Sequence, residues 1–279
     1  MTNLHTTSAA HPVQHRAMQD IAKGRLRRAL DAARRLGISG LFDLLREHGF
    51  SGAYAFIARN IRFLIADRIA RRWDRKHKVD TAGSVQLGSL SIVGPNKDAG
   101  NECLCTSPST FDFMMGYLPR SLAGFTFIDI GAGKSRTLLL AARYDFEKII
   151  GVEFARELVE CAQGNLKTFS ADWQRCRNLE AIWADATQYA LPDTPLVLFF
   201  YNPFSKDVFD RVLANVAASL RQRPRDCYLV YSSSSANAID WAKPAILGSG
   251  LFKEIETAPS PSFWDAVRVV KFAVFKATI

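Results

Sequence analysis

The chain has 279 residues, of which 48% are hydrophobic and 23% are charged, and its formal net charge is +9. This composition is typical of a folded globular protein and excludes a disordered or collagen-like chain. No run reaches the roughly 18 uninterrupted apolar residues of a membrane-spanning helix, and the polar stretch Met1–Ala10 lacks the apolar core of a secretory signal.

The positive charge is concentrated in the N-terminal quarter. Residues 1–79 hold 16 Lys and Arg against 6 Asp and Glu, a net of +10, whereas residues 80–279 hold 20 against 21, a net of −1. We predict a disordered tail over residues 1–14 and a basic helical segment over residues 15–79, where apolar residues recur at helical spacing between arginines. This segment is suited to an anionic partner (nucleic acid, an acidic protein or a membrane surface), or it is a solvated face on helices packed against the core.

Five cysteines are present, and their odd number together with the absence of a signal sequence favours a reduced, cytoplasmic protein. Cys103 and Cys105 are separated by one residue, but no second Cys or His pair lies near them in the sequence. A structural zinc site needs four ligands. We therefore predict no metal site.

Residues 80–279 alternate between short apolar runs and amphipathic helices. Predicted strands occupy Phe125–Ile130, Lys148–Val152, Leu179–Trp183, Leu196–Tyr201 and Cys227–Tyr231, and predicted helices occupy Arg136–Tyr144, Arg156–Thr168 and Asp207–Arg221. Such alternation predicts right-handed βαβ units and a doubly wound, Rossmann-like α/β domain. Two final runs, Phe252–Thr257 and Val267–Lys276, follow each other without a helix and predict an antiparallel pair.

A glycine-rich loop lies where the first strand turns into the first helix, in Asp129-Ile130-Gly131-Ala132-Gly133. Without Cβ atoms at Gly131 and Gly133, a nucleotide-like ligand can approach the backbone closely. A P-loop is disfavoured because its first glycine would fall on Ile128, inside the strand. A dinucleotide loop is disfavoured because its third glycine would fall on Arg136, and because Asp129 would repel a pyrophosphate.

The remaining ligand class is a cationic nucleoside. Glu153 ends the second strand, 20 residues after Gly133, at the distance where a carboxylate can accept both ribose hydroxyls. Asp185 follows the third strand, where an acid can accept from the adenine amino group. With Asp129, three acids at the ends of successive strands would then face one crevice.

These features resemble the class I S-adenosylmethionine-dependent methyltransferases, closest to a bacterial group. The resemblance runs from residue 74 to the C terminus, through Asp74-Arg75-Lys76-His77-Lys78-Val79-Asp80-Thr81-Ala82-Gly83, Ile92-Val93-Gly94-Pro95-Asn96 and Gly131-Ala132-Gly133-Lys134-Ser135-Arg136. Ser135 stands where that group has a third glycine, and Leu104–Ser107 where it often has a tyrosine. The resemblance implies a seven-stranded sheet with an antiparallel last strand. It also implies S-adenosylmethionine bound at Asp129, Gly131, Gly133, Glu153, Asp185 and Ala186.

The fourth strand ends in Tyr201-Asn202-Pro203-Phe204, which is similar to the Asn/Asp-Pro-Pro-aromatic motif of enzymes that methylate amino groups, with the second Pro missing. We predict that Asn202 accepts from an acceptor N–H, that the Pro203 carbonyl accepts another, and that Phe204 stacks on the acceptor. Methyl transfer to a nitrogen atom on a protein or other substrate is therefore the favoured function. A small-molecule or lipid O-methyltransferase and a non-catalytic S-adenosylmethionine-binding module remain the alternatives.

Overall fold

The computed structural model describes residues 50–51, 61–85, 90, 100, 103–266 and 269–278. The predicted tail of residues 1–14 and most of the predicted basic helical segment lie outside these residues, so both stay predictions. The chain divides into two compact units, Met1–Arg62 and Phe63–Ile279. The second unit contains every strand named below.

Nine strands and six helices lie in the part of the chain that the structure describes. The helices are α1 (residues 61–77), α2 (Pro108–Met115), α3 (Arg136–Ala141), α4 (Arg156–Thr168), α5 (Lys206–Gln222) and α6 (Ala236–Gly248). The strands are β1 (Ser84–Val85), β2 (Cys103–Leu104), β3 (Thr126–Ile130), β4 (Lys148–Glu153), β5 (Leu179–Trp183), β6 (Leu196–Tyr201), β7 (Cys227–Ser233), β8 (Phe252–Pro259) and β9 (Lys271–Ala277). None of the described helices is long and apolar enough to cross a bilayer.

Seven strands form one sheet in the order β5-β4-β3-β6-β7-β9-β8. Neighbouring strands from β5 to β7 are parallel, whereas β9 is antiparallel to both β7 and β8. This order and the reversed last strand confirm the predicted fold. The antiparallel pair β1 and β2 forms a separate two-stranded sheet.

The central strands of the large sheet are buried on both faces, since all five residues of β3 and the first five of β6 are buried. Side chains of a strand alternate between faces, and the two hydrophobic clusters divide accordingly. Ile128 and Leu198 belong to the first cluster, with residues of α5 and α6. Phe127 and Phe199 belong to the second, with residues of α2 and α3. The sheet is therefore a buried, rigid platform for the loops at its carboxyl edge.

Helix α6 is absent from the predicted elements, although it joins β7 to β8. Pro244 lies inside the helix, and the serine run that precedes it suggests a loop rather than a helix. The connection through α6 explains why β8 runs parallel to β7, and why only β9 is reversed.

The end of α1 packs against the chain that follows α4. The rings of Trp73 and His77 lie 4.4 Å apart, and His77 also contacts Phe169 and Trp173 at 5.5 and 5.8 Å between ring centroids. Burial lowers the pKa of His77, which favours the neutral imidazole in this aromatic cluster. The last turns of α1 are thus part of the second unit.

Candidate functional site

A cleft opens at the carboxyl edge of the sheet, above β3. The neighbours of β3 are β4 on one side and β6 on the other, so the loops that follow these strands diverge and leave a crevice between them. The cleft holds about 930 Å³ of empty space, counted out to its open mouth.

The structure brings all the residues that were predicted to hold a cofactor to this one cleft. Its walls include Asp129, Gly131, Gly133, Glu153, Asp185 and Ala186. Pro203 and Phe204 of the predicted acceptor motif also line it, together with Tyr201. Asn202 is not among the lining residues.

The glycine loop adopts a conformation that requires its first glycine. Gly131 has φ +84°, and a Cβ built there would lie 2.3 Å from the Cβ of Pro203. Real Cβ atoms do not approach that closely, so a side chain at residue 131 would displace the loop that follows β6. The cofactor loop and the predicted acceptor loop are therefore in direct contact.

Ser135 occupies a left-handed conformation at the start of α3. Its φ is +65°, a region where glycine is favoured because it has no Cβ. The residue is completely buried, and its Oγ has no hydrogen-bond partner among the described residues. A glycine, as in the sequences that this loop resembles, has neither a Cβ nor a hydroxyl and would suit this position.

The carboxylate of Glu153 holds the backbone around the cleft. Its Oε2 accepts from the amide of Gly133 at 2.8 Å, and its Oε1 accepts from the amides of Phe154 and Ala155, both at 2.9 Å. Burial raises the pKa of Glu153, and these three amides oppose the rise. The glycine loop thus presents one of its amides to a carboxylate rather than to an anionic ligand.

Asp129 is a second buried acid of the cleft whose pKa is raised. It is 3% exposed, and it accepts a hydrogen bond from the Thr137 hydroxyl. Burial raises the pKa of Asp129 to about 7, the hydrogen bond lowers it, and the nearby Glu153 raises it. The unfolded chain releases this proton at a lower pH, so the free energy of unfolding falls as the pH rises towards 7.

The third wall follows β5. Asp185 Oδ1 accepts from both the amide and the hydroxyl of Thr187, at 2.8 Å each, which closes a tight turn after the strand. The indole N–H of Trp183 donates to the carbonyl of Phe154 at 2.9 Å. This bond ties the end of β5 to the residue after β4, which also lines the cleft.

A fourth wall comes from the chain before β3 and was missed at the level of sequence. Thr81, Gly100, Cys105 and Thr106 all line the cleft. They lie in an irregular stretch with no hydrophobic periodicity, and only the family resemblance, which runs through Thr81 and through Leu104–Ser107, singles out parts of this stretch. Gly100 is held opposite Phe204 by an isolated antiparallel bridge.

One buried and one partly buried ion pair join the start of this wall to the cofactor loop. Arg136 Nη2 donates to Asp74 Oδ1 at 2.9 Å, and the guanidinium lies 4.3 Å from the ring centre of Trp73. Lys134 Nζ donates to Asp80 Oδ1 at 2.8 Å. Thr81 lies between these pairs and accepts from Arg136 Nε. The sequence held one signal for this wall: the acids Asp74 and Asp80 could be expected to pair with the bases Lys134 and Arg136 of the glycine loop.

The predicted acceptor motif has its own buried support. Asn202 has φ +43°, and its Oδ1 accepts from the Tyr231 hydroxyl at 3.0 Å. Tyr231 is almost fully buried on β7, and burial raises its pKa, so the hydroxyl remains protonated and donates. Tyr231 was not predicted as a site residue. Its position follows from the register that sets it beside Phe200.

No family model matches the chain, and no curated protein matches its sequence. Among solved structures, it is similar to a precorrin-6y C5,15-methyltransferase from Geobacter metallireducens (14% identity, 68% of this chain and 96% of that one, TM-score 0.47). It is also similar to a SAM-dependent methyltransferase from Leishmania major (14% identity, 60% and 70%, TM-score 0.47). A third similar structure is a [4+2]-cyclase (12% identity, 62% and 81%, TM-score 0.45).

At these identities and scores the similar structures carry no argument about the chemistry of this chain. The strand order of the chain itself defines the architecture. With six parallel strands, a reversed last strand inserted beside β7 and a cleft above β3, the chain has the fold of the class I methyltransferases.

Proposed function

We propose that the chain binds S-adenosylmethionine in this cleft and transfers its methyl group to an acceptor. One observation carries the proposal: Asp129 near the end of β3, Glu153 at the end of β4 and Asp185 just after β5 all line a single cleft. The carboxylate of Glu153 also accepts a hydrogen bond from the amide of Gly133 in the glycine loop. An acidic crevice of this kind favours a cationic ligand over a phosphate. The two cleft cations, Lys134 and Arg136, are themselves paired with Asp80 and Asp74.

Each acid has a distinct part in binding. Glu153 has already used three of its acceptor positions on backbone amides, and its remaining lone pair on Oε2 is available for a ribose hydroxyl. Asp185 lies at the far wall, where it would accept from the adenine amino group. Asp129, held by Thr137, would face the ammonium group and the sulfonium.

S-adenosylmethionine supplies an already activated methyl group, so the task of the protein is alignment and exclusion of water. In the transfer, the sulfur–methyl bond breaks as the acceptor–methyl bond forms, S-adenosylhomocysteine leaves, and the acceptor loses a proton to solvent. All five histidines precede residue 78. Transfer therefore proceeds without an imidazole from the chain that forms the sheet.

Calorimetry with S-adenosylhomocysteine tests the binding step. We expect a single site on the native chain, and at least tenfold weaker binding by Glu153→Gln, which removes the charge but keeps the shape. Glu160→Gln is the matched control because Glu160 pairs with Arg156 on the exposed face of α4. A folded protein that gives no heat of binding would refute the proposal.

For the acceptor atom, we propose nitrogen, oriented by Asn202. The hydrogen bond from the Tyr231 hydroxyl to its Oδ1 would fix the orientation of this side chain. Asn202→Ala should keep cofactor binding and lose most turnover, measured as transfer of labelled methyl. Full turnover in this variant would exclude the role, and binding without any methyl transfer to fractionated lysate would favour the non-catalytic alternative.

A further inference from the structure

A lysine of the glycine loop lies in the wall of the cleft. Lys134 directly follows Gly133, lines the cleft and is 6% exposed. An unopposed ammonium group at this position would repel a sulfonium and attract a phosphate, because charges in a partly buried site interact more strongly than in water. The surroundings of Lys134 therefore bear on which nucleoside the cleft accepts.

The ammonium of Lys134 is bonded to the segment that precedes β1. Its Nζ donates to Asp80 Oδ1 and to the carbonyl of Ala82, both at 2.8 Å. The side chain of Lys134 is 7% exposed in this ion pair, and that of Asp80 is 30% exposed. The carboxylate of Asp80 thus offsets the charge of Lys134 and fixes the place of its ammonium on the fourth wall, where Thr81 also lines the cleft.

Asp80 is itself held against the glycine loop by Asn165 of α4. The side-chain amide of Asn165 accepts from the backbone N–H of Asp80 at 2.7 Å and donates to the carbonyl of Asp80 at 2.9 Å. It also donates to the carbonyl of Lys134 at 3.0 Å. Asn165 is buried, so water does not compete for these bonds. One buried side chain therefore binds the backbone of both members of the ion pair and sets the separation between them.

The second base on this side of the cleft is opposed in the same way. Arg136 pairs with Asp74, and Asp74 also accepts from the amides of Thr81 and Ala82 at 2.7 and 2.6 Å. The segment from Asp74 to Ala82 thus brings two carboxylates to two bases of the loop. Because both bases are opposed, the charge that a ligand meets in the cleft is set by the acids of β3, β4 and the turn after β5.

We propose that Asp80 is a positioning residue for the cofactor: it holds the ammonium of Lys134 on the wall at residues 80–82 and offsets its charge, so that the cleft prefers a cationic sulfonium nucleoside to a neutral one. This inference rests on the proposed function, since it assigns a further residue to the same site. A purely structural ion pair would support all ligands of the cleft alike. An ion pair that sets the charge of the cleft supports the cationic ligand more.

Two ligands of nearly the same shape, which differ by one positive charge, test the assignment. S-adenosylmethionine carries the sulfonium, and S-adenosylhomocysteine has a neutral thioether in its place. Calorimetry on the full-length protein gives both dissociation constants, and their ratio reports the preference for the charged ligand. Asp80→Asn removes the charge and keeps the shape of the side chain. We expect it to lower this preference about three- to tenfold, the range that Coulomb's law gives for unit charges about 10 Å apart at a dielectric constant between those of protein and water.

The double variant Asp80→Asn/Lys134→Gln should restore the preference to within about twofold of the native value, because it removes the cation as well. Lys134→Gln alone should raise the preference, and this variant decides the question if Asp80→Asn does not fold. Asp193→Asn is the matched control. Asp193 pairs with Arg223 ahead of β6, at the opposite edge of the sheet from the cleft, so its preference should equal that of the native protein.

Thermal melting of each variant reports any loss of folding. An unchanged preference or equal weakening of both ligands in Asp80→Asn would overturn the inference. So would a preference that the double variant does not restore, a preference that Lys134→Gln does not raise, or the same shift in Asp193→Asn. A native protein that binds neither ligand would instead refute the proposed function, so the two failures are distinguishable.

Discussion

Replacing Ser135 by glycine should stabilise the protein. A non-glycine residue in the left-handed region costs about 1–2 kcal/mol, and the greater freedom of glycine in the unfolded chain returns about 0.5–1 kcal/mol of that. The backbone thus favours glycine by about 1 kcal/mol. Removing a buried hydroxyl that has no partner among the described residues adds about 1 kcal/mol more.

The total of about 2 kcal/mol corresponds to a rise in Tm of roughly 4–8 °C for a domain of this size. Differential scanning calorimetry of the ligand-free protein measures it. Ser135→Ala separates the two contributions because it removes the hydroxyl and keeps the Cβ, and we expect it to give about half the gain. An alanine variant as stable as the glycine variant would show that backbone strain is not the cause, and a destabilised glycine variant would refute the reasoning altogether.

Three further predictions concern the cleft and the wall around it. S-adenosylmethionine should bind more tightly as the pH rises from about 5.5 to 7, by up to tenfold per pH unit. The reason is that the Asp129 carboxyl group, whose pKa is about 7, must lose its proton to face the cationic ligand. Calorimetry should find no such pH dependence in Asp129→Asn. Gly131→Ala should lower the free energy of unfolding by about 2–5 kcal/mol, because of the positive φ of Gly131 and its contact with Pro203. Gly164 lies inside α4 with open space around it, so Gly164→Ala should raise the free energy of unfolding by up to about 1 kcal/mol. Urea unfolding measures both variants. Asp74→Ala should lower the free energy of unfolding by about 3–5 kcal/mol, because it leaves the buried guanidinium of Arg136 without its counterion. A decrease of less than about 1 kcal/mol would contradict the buried ion pair.

The elements with strong periodicity could be predicted closely. The bounds of α4, β5 and β6 agree with the sequence-based prediction, because each is a single apolar or amphipathic run between clear breaks. Helix α6 could not be predicted, since Pro244 and a preceding serine run conceal its period. Sequence pattern is sufficient to predict an element whose own periodicity is clear. It is not sufficient for a helix such as α6, which depends on packing against the rest of the fold.

The site divides in the same way. Asp129, Glu153 and Asp185 could be predicted to converge, because parallel strands end at one edge of the sheet. Thr81 and Gly100 could not, because their positions depend on contacts between segments far apart in the chain, such as Asp74 with Arg136 and Gly100 with Phe204. Sequence pattern also could not show that the carboxylate of Glu153 accepts hydrogen bonds from three backbone amides.

The ion pair between Asp74 and Arg136 bears on how the sheet-forming part of the chain can be separated from what precedes it. A fragment beginning at residue 80, where the change in net charge suggests a boundary, would retain the guanidinium and discard its carboxylate. It would also lose Trp73 and His77 from the aromatic cluster beside α4. A gene fusion, a shuffled domain or a shortened expression clone would therefore have to carry the end of α1 with it, because this turn packs within the sheet-forming unit.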